Sequence, residues 1–95
     1  MSKKKPLTNQ ELEAFFGQMS MLYTAGIAPY DGIDILLEDT KDKATAEILS
    51  AIREDLLAGG KFYHALQTTE VFPPYVLSMI ELGEASGNLD GVLTS

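Results

Sequence analysis

Apolar residues recur along this chain at three- and four-residue steps, which is the period of one face of an α-helix. The first such segment follows Thr8, which forms a predicted capping box with Glu11, and it ends at Gly26. Further segments with the same spacing are each bounded by glycine, proline or a polar capping residue. Signals for β-strands are nearly absent. The pattern therefore predicts an all-α protein.

The next three helices have separate start and stop signals. The second begins at Pro29, and Gly32 weakens it by about 1 kcal/mol relative to alanine unless another backbone packs close against it. A polar linker over residues 38–43 supplies Asp42 as the cap of the third helix, which the glycine pair at positions 59–60 ends. The fourth helix is short and runs from Phe62 to about residue 68.

The pair Pro73–Pro74 starts a fifth helix, which Gly87 ends, and Asn88 caps a sixth helix. The sequence stops at Ser95, before the sixth helix completes an apolar face, so we expect that helix to be cut short inside a longer protein. Because the linkers are short, sequential helices should pack antiparallel. The predicted fold is an antiparallel bundle of five to six helices.

Composition divides the 95 residues into two parts. Three of the seven basic residues are Lys3, Lys4 and Lys5, which leaves four basic residues against fourteen acidic ones in the rest of the chain. We expect residues 1–7 to form a disordered basic tip and residues 8–95 to form one helical domain.

The net charge of −7, the absence of cysteine and the length of the apolar runs each exclude a class of function. An acidic body repels phosphate backbones, so nucleic-acid binding is not expected. The sequence contains no cysteine, which removes disulfides, thiolate nucleophiles and cysteine-ligated metals from consideration. No apolar run reaches the roughly 18 residues that a membrane span requires. We expect this piece of chain to be soluble.

The glycine-rich stretch from Glu81 to Gly91 invites comparison with a phosphate-binding loop. Such a loop needs a preceding strand and a lysine after its last glycine, and this stretch has neither. Backbone geometry explains it better: Gly83 permits close approach of a neighbouring helix, Gly87 ends one helix and Asn88 caps the next. We therefore predict no cofactor here.

Glu84 follows Ile80 by one turn on a mainly apolar side of the fifth helix, where a carboxylate is costly unless it is paired or hydrogen-bonded. Three interpretations remain open from the sequence. Glu84 is a solvated edge residue, a partner of backbone amides or of a cation at a helix junction, or a contact to another subunit.

Other candidate chemistry is sparse. His64 is the sole imidazole, and its neighbours in sequence offer neither a nucleophile nor a set of metal ligands, so we predict a surface or capping histidine and no enzyme activity. Methionine and phenylalanine side chains, Phe16 and Met19 among them, could instead line a groove or interface for a partner helix.

The order of these signals resembles a known family. "LYTAGIAPYDGIDIL", "FYHAL" and "VFPPYVLSMIELGEASGNLDGVL" follow one another at the spacing seen in the cytoplasmic domain of the inner-membrane platform proteins of type II secretion, type IV pilus and DNA-uptake competence systems. The resemblance covers nearly the whole chain after Thr8. The residues that carry its motifs are Gly26, Phe72, Pro73, Gly83, Glu84, Gly87 and Leu89.

The resemblance implies a six-helix domain that occurs twice in a full-length protein with membrane-spanning helices, and this chain would be the first copy. It also implies a location at the cytoplasmic face of the inner membrane and no catalysis. The implied partners are a cytoplasmic assembly ATPase, other platform components, pilin-like subunits and further copies of the same protein. An alternative function is that of a stand-alone acidic helical regulator that binds a partner helix, and a metal-dependent enzyme built on the acids and His64 is a third hypothesis.

Overall fold

The computed structural model describes residues 5–93, which form six α-helices and no β-strand. The helices span Asn9–Thr24 (α1), Pro29–Asp39 (α2), Lys43–Leu57 (α3), Phe62–Thr68 (α4), Pro74–Ser86 (α5) and Leu89–Leu93 (α6). The prediction of an all-α bundle is confirmed. The linker between α2 and α3 is shorter than predicted, because both helices extend into the polar segment.

Local side-chain caps fix where α1 and α3 begin. The backbone N–H of Glu11 donates to Thr8 Oγ1 (3.1 Å) and the backbone N–H of Thr8 donates to Glu11 Oε1 (2.8 Å), which completes the predicted capping box of α1. Asp42 accepts from the backbone N–H of Thr45 at 2.9 Å and so caps α3 as predicted. Each of these contacts spans three residues, so it needs no tertiary structure.

The six helices close into a ring. Each helix contacts the next along the chain, and α6 returns to contact α1. The closed arrangement surrounds a single cluster of buried apolar side chains. Its members are Leu12, Met19, Ile33, Leu49, Ile52, Phe62, Ala65, Leu66, Val71, Phe72, Ile80, Leu89 and Leu93. The Cα radius of gyration of 12.4 Å is that of a compact domain of this length.

Leu7 differs from its prediction as part of a disordered tip. Its backbone N–H donates to the carbonyl oxygen of Val71 at 3.0 Å, and its half-buried side chain packs against the core. This bond ties the segment before α1 to the segment before α5. Leu7 is therefore part of the packed domain, while Lys3 and Lys4 of the predicted tip lie outside the described residues.

Candidate functional site

The junction between α4 and α5 is organised by the carboxylate of Glu84. Glu84 Oε2 accepts a hydrogen bond from the backbone N–H of Phe62 at 2.7 Å, and Oε1 accepts one from the backbone N–H of Tyr63 at 2.9 Å. These are the first two amides of α4, which have no partner within their own helix. A carboxylate in this position also lies at the positive end of the helix dipole.

Lys61 explains why α4 needs a cap from elsewhere. In the described part of the chain, Lys61 occupies the N-cap position of α4, and its side chain makes no capping hydrogen bond. Glu84, in the last turn of α5, supplies the missing acceptors. Of the three interpretations left open by the sequence, the geometry supports the partner of backbone amides at a helix junction. A contact from Glu84 to another subunit stays a prediction.

Gly83 and Gly87 position this carboxylate through backbone geometry. A Cβ atom added at Gly83 would lie 2.8 Å from Val92 Cγ2, so the absence of a side chain lets α6 approach α5 closely. Gly87 has φ of +74°, and the backbone N–H of Asn88 donates to the carbonyl oxygen of Gly83 at 2.8 Å. This left-handed turn ends α5 and returns the chain at once into α6.

Phe72 belongs to an aromatic cluster that joins the start of α5 to α1. Its ring centroid lies 5.5 Å from that of Phe15 and 5.9 Å from that of Phe16, and the last pair meets edge to face. Phe72 is 7% exposed, so its family motif position is a core position.

The other motif residues lie at helix boundaries. Gly26, with φ of +90°, follows the end of α1; Pro73 occupies the N-cap position of α5; and Leu89 is the first residue of α6, with its side chain buried. The predicted site residues therefore do not converge on one cavity. They form the connections that set the angles between neighbouring helices.

Met19 corrects one prediction. It was named as a residue that could line a groove or interface, but it is 1% exposed and belongs to the core. Its Cε atom would lie 3.4 Å from a Cβ atom added at Gly32, so the methionine fills the space that this glycine leaves on α2. No backbone packs against Gly32 among its three nearest neighbours, which are side-chain atoms of Met19 and Leu22.

Phe16, the other predicted interface residue, lines an open groove between α1, α5 and α6, which we call the α1–α5 groove. It encloses about 380 Å³, and its lining is apolar or aromatic apart from Asn9 and Glu13. The apolar lining residues are Leu12, Phe16, Tyr75, Val76, Met79, Ile80, Val92 and Leu93. Phe16 and Met79 therefore lie on the same groove, and its occupation by a partner helix stays a prediction.

Two exposed residues of α5 were missed in the sequence. Tyr75 is 62% exposed and Leu82 is 69% exposed, and with Met79 at 41% they form an apolar stripe on the surface. Their spacing in the sequence already indicated a shared surface, because steps of four and three residues place Tyr75, Met79 and Leu82 on one helix face. The spacing could not show that this face is uncovered.

Two polar side-chain pairs on the surface, His64 with Asp55 and Arg53 with Asp34, account for the charged residues that they contain. His64 Nδ1 lies 2.9 Å from Asp55 Oδ2, and the His64 side chain is 53% exposed. Arg53 Nε donates to Asp34 Oδ1 at 2.8 Å, and this bond raises the pKa of the Arg53 guanidinium, which also lies over the ring of Tyr30. Within residues 5–93, no three metal-ligating side chains of histidine, cysteine, aspartate or glutamate gather into a cluster.

Comparison with known proteins gives one consistent result. The family model described as "Type II secretion system (T2SS), protein F" matches residues 15–95. A protein transport protein HofC homolog of Escherichia coli is 30% identical over 87 residues, which are 92% of this chain and 22% of that protein. Type II secretion system protein F of Vibrio cholerae is 31% identical over 80 residues (84% and 20%). Type IV pilus assembly protein PilC of Thermus thermophilus is 30% identical over 84 residues (88% and 21%).

The chain thus spans about a fifth of the length of the curated relatives it matches. Among residues 5–93, no helix combines the length and the apolar character that crossing a membrane requires. The matched region includes every helix from the middle of α1 onward and all the motif residues described above. The chain belongs to the family of protein F of the type II secretion system, whose relatives include type IV pilus assembly proteins.

Proposed function

We propose that this chain is a non-catalytic protein–protein interaction domain of an inner-membrane platform protein that supports type II secretion or the assembly of type IV pili or pseudopili. The observation that carries the proposal is the exposed apolar stripe of α5 beside the α1–α5 groove, in a chain of the protein F family. Contiguous apolar surface beside a groove marks contact sites in otherwise polar domains.

The partners in this proposal are the cytoplasmic assembly ATPase, other platform components and pilin-like subunits. The domain would lie at the cytoplasmic face of the inner membrane, and parts of a longer protein would attach it there. Its role would be that of a rigid adaptor, since the ring of helices closes and Glu84 ties α4 to α5. The net charge of −7 favours basic patches on a partner and makes association sensitive to salt.

Capture of the assembly ATPase of the same organism by the immobilised domain tests this partner. We expect capture at low ionic strength that declines as salt is added, because surface charges are screened over about 8 Å at physiological ionic strength. An unrelated acidic helical protein of similar charge serves as the control for non-specific attraction. If the domain retains no ATPase in low or moderate salt, the ATPase assignment is wrong.

The α1–α5 groove also suits the second hypothesis, a stand-alone acidic regulator that binds a partner helix. The gene distinguishes the two functions. A reading frame that continues past Ser95 into apolar spans supports the platform protein, whereas a stop codon at that point supports the regulator.

A further inference from the structure

We infer that Met79 is an oxidative modification site whose state sets the affinity of the α1–α5 groove for apolar ligands. A small peroxide converts the thioether of Met79 to a sulfoxide, and the groove then becomes a poorer apolar surface. The consequence of this change for a partner protein rests on the proposed function, because the groove and the stripe beside it are the contact surface proposed above.

The three methionines of the described chain differ widely in exposure. Met19 is buried in the core, Met79 is 41% exposed and Met21 is 73% exposed. The Sδ atom of Met19 would lie 3.5 Å from a Cβ atom added at Gly32, so this sulfur faces packed atoms of the protein. A peroxide must reach the sulfur in order to oxidise it. Met21 and Met79 are therefore open to the oxidant, and Met19 is protected.

Met79 differs from Met21 in its surroundings. Of the described residues that line the α1–α5 groove, Met79 alone contains sulfur, and it shares the groove with the aromatic rings of Phe16 and Tyr75. It also belongs to the exposed apolar stripe of α5. Met21 lies on α1 and does not line the groove. Oxidation therefore changes the polarity of the groove only where it reaches Met79, and Met21 provides a reactive residue outside it.

The reaction is a two-electron transfer of one oxygen atom. A lone pair of Met79 Sδ attacks one oxygen of hydrogen peroxide, and an S–O bond forms as the O–O bond breaks. The departing hydroxide takes the proton from the transferred oxygen and leaves as water. The sulfur is oxidised by two electrons and the peroxide is reduced by two. The product is a polar, chiral sulfoxide in place of a flexible apolar side chain.

The new oxygen weakens apolar contacts because it must be desolvated. An apolar ligand that covers Met79 removes water from the sulfoxide oxygen and supplies no hydrogen-bond donor in return. Burial of a polar atom without a partner is unfavourable, whereas the thioether that it replaces is apolar and adapts to its neighbours. We therefore expect the oxidised groove to bind an apolar ligand about tenfold more weakly than the reduced one.

Timed exposure of the chain to hydrogen peroxide, followed by mass spectrometry of its peptides, measures the oxidation rate at each methionine. We expect Met79 and Met21 to oxidise at least about tenfold faster than Met19, because only their sulfur atoms are accessible. Met19 also reports, within the same sample, that the core stays packed during the reaction. If Met79 reacts no faster than Met19, the inference is wrong.

Fluorescence of the neutral apolar dye Nile red measures the affinity of the groove before and after oxidation. Peroxide should weaken dye binding to the parent chain about tenfold, and treatment with both methionine sulfoxide reductases should restore it. Met79→Leu keeps an apolar side chain of similar volume without sulfur, so its dye binding should not respond to peroxide. Met21→Leu should respond as the parent chain does. Circular dichroism verifies that the oxidised chain and both variants keep the helical content of the parent.

Three results of the dye experiment would overturn the inference: no binding to the parent chain, binding that peroxide leaves unchanged, or a loss of binding that persists in Met79→Leu. Neither the oxidation rates nor the dye measurements involve the assembly ATPase. If both are as expected but the domain captures no ATPase, the inference stands and the proposed partner is wrong. If the domain captures the ATPase but Met79 is unreactive, the inference is wrong and the proposed function stands.

Discussion

Removal of the Glu84 carboxylate should destabilise the whole domain. In Glu84→Ala the first two amides of α4 lose acceptors at 2.7 and 2.9 Å, and Lys61 provides no replacement. Hydrogen bonds to charged groups contribute roughly 1.5–3 kcal/mol each, and loss of a helix cap costs about 0.5–2 kcal/mol, while water can reach part of this site. We expect a loss of about 2–3 kcal/mol in the free energy of unfolding.

This loss would be large for a domain of this size, whose total stability is about 5–10 kcal/mol. The midpoint of thermal unfolding should fall by roughly 10–20 °C. Urea titration followed by circular dichroism measures the free energy, and an unchanged slope would show that the unfolded state is unaffected. Glu84→Gln keeps one carbonyl acceptor and should lose about half as much.

Two further variants make the reasoning refutable. Glu81→Ala removes an exposed carboxylate from the same helix and should change stability by less than about 0.5 kcal/mol. Lys61→Ser installs a local cap for α4 and should recover part of the loss in the Glu84→Ala background while having a smaller effect in the parent chain. If Glu84→Ala is as stable as the parent chain, the carboxylate does not hold the α4–α5 junction.

Three other predictions use unfolding measurements. Gly83→Ala should lower the free energy of unfolding by about 1–2 kcal/mol, because the new methyl group would meet Val92 at 2.8 Å. Gly32→Ala should raise it by up to about 1 kcal/mol, because the nearest neighbours of a Cβ atom there lie at 3.4 Å or more. Equal effects of the two substitutions would contradict the packing argument. Glu70→Gly should raise the free energy of unfolding by about 1 kcal/mol, because Glu70 has φ of +62° and glycine adopts that conformation without the steric cost of a Cβ atom. A loss of stability would show that the Glu70 side chain makes a compensating contact. Hydrogen bonds from Thr45 lower the pKa of Asp42 below its ordinary value, so its stabilisation is present above the pKa of the unfolded chain and is lost as the pH falls through the lowered pKa. Asp42→Asn should lessen this acid destabilisation in urea titrations at successive pH values, and an unchanged pH dependence would refute it.

Most helix boundaries could be predicted because their causes are local. The Thr8–Glu11 box, the Asp42 cap and the left-handed turn at Gly87 each involve residues within a few positions of one another. The end of α4 was also predicted, at about residue 68, although no glycine marks it. Glu70 takes the left-handed conformation there without being glycine, so no composition signal marks the turn.

The placement of side chains was predicted less completely. The spacing of Met19 and Phe16 put both on the apolar side of α1, yet one is buried over Gly32 and the other lines an open groove. A helical period states which residues share a face. It does not state which parts of that face a neighbouring helix covers.

The sequence by itself determined the all-α class, the helix order and the caps of α1 and α3, because each depends on short-range hydrogen bonds and on the period of the backbone. Only the tertiary structure decided the role of Glu84, since the amides it binds lie 22 and 21 residues earlier in the chain. It also decided that the stripe containing Tyr75 and Met79 remains uncovered, because closure of the ring by α6 against α1 leaves that side of α5 exposed. Contacts between distant segments depend on how the helices pack, and a local pattern carries no record of that packing.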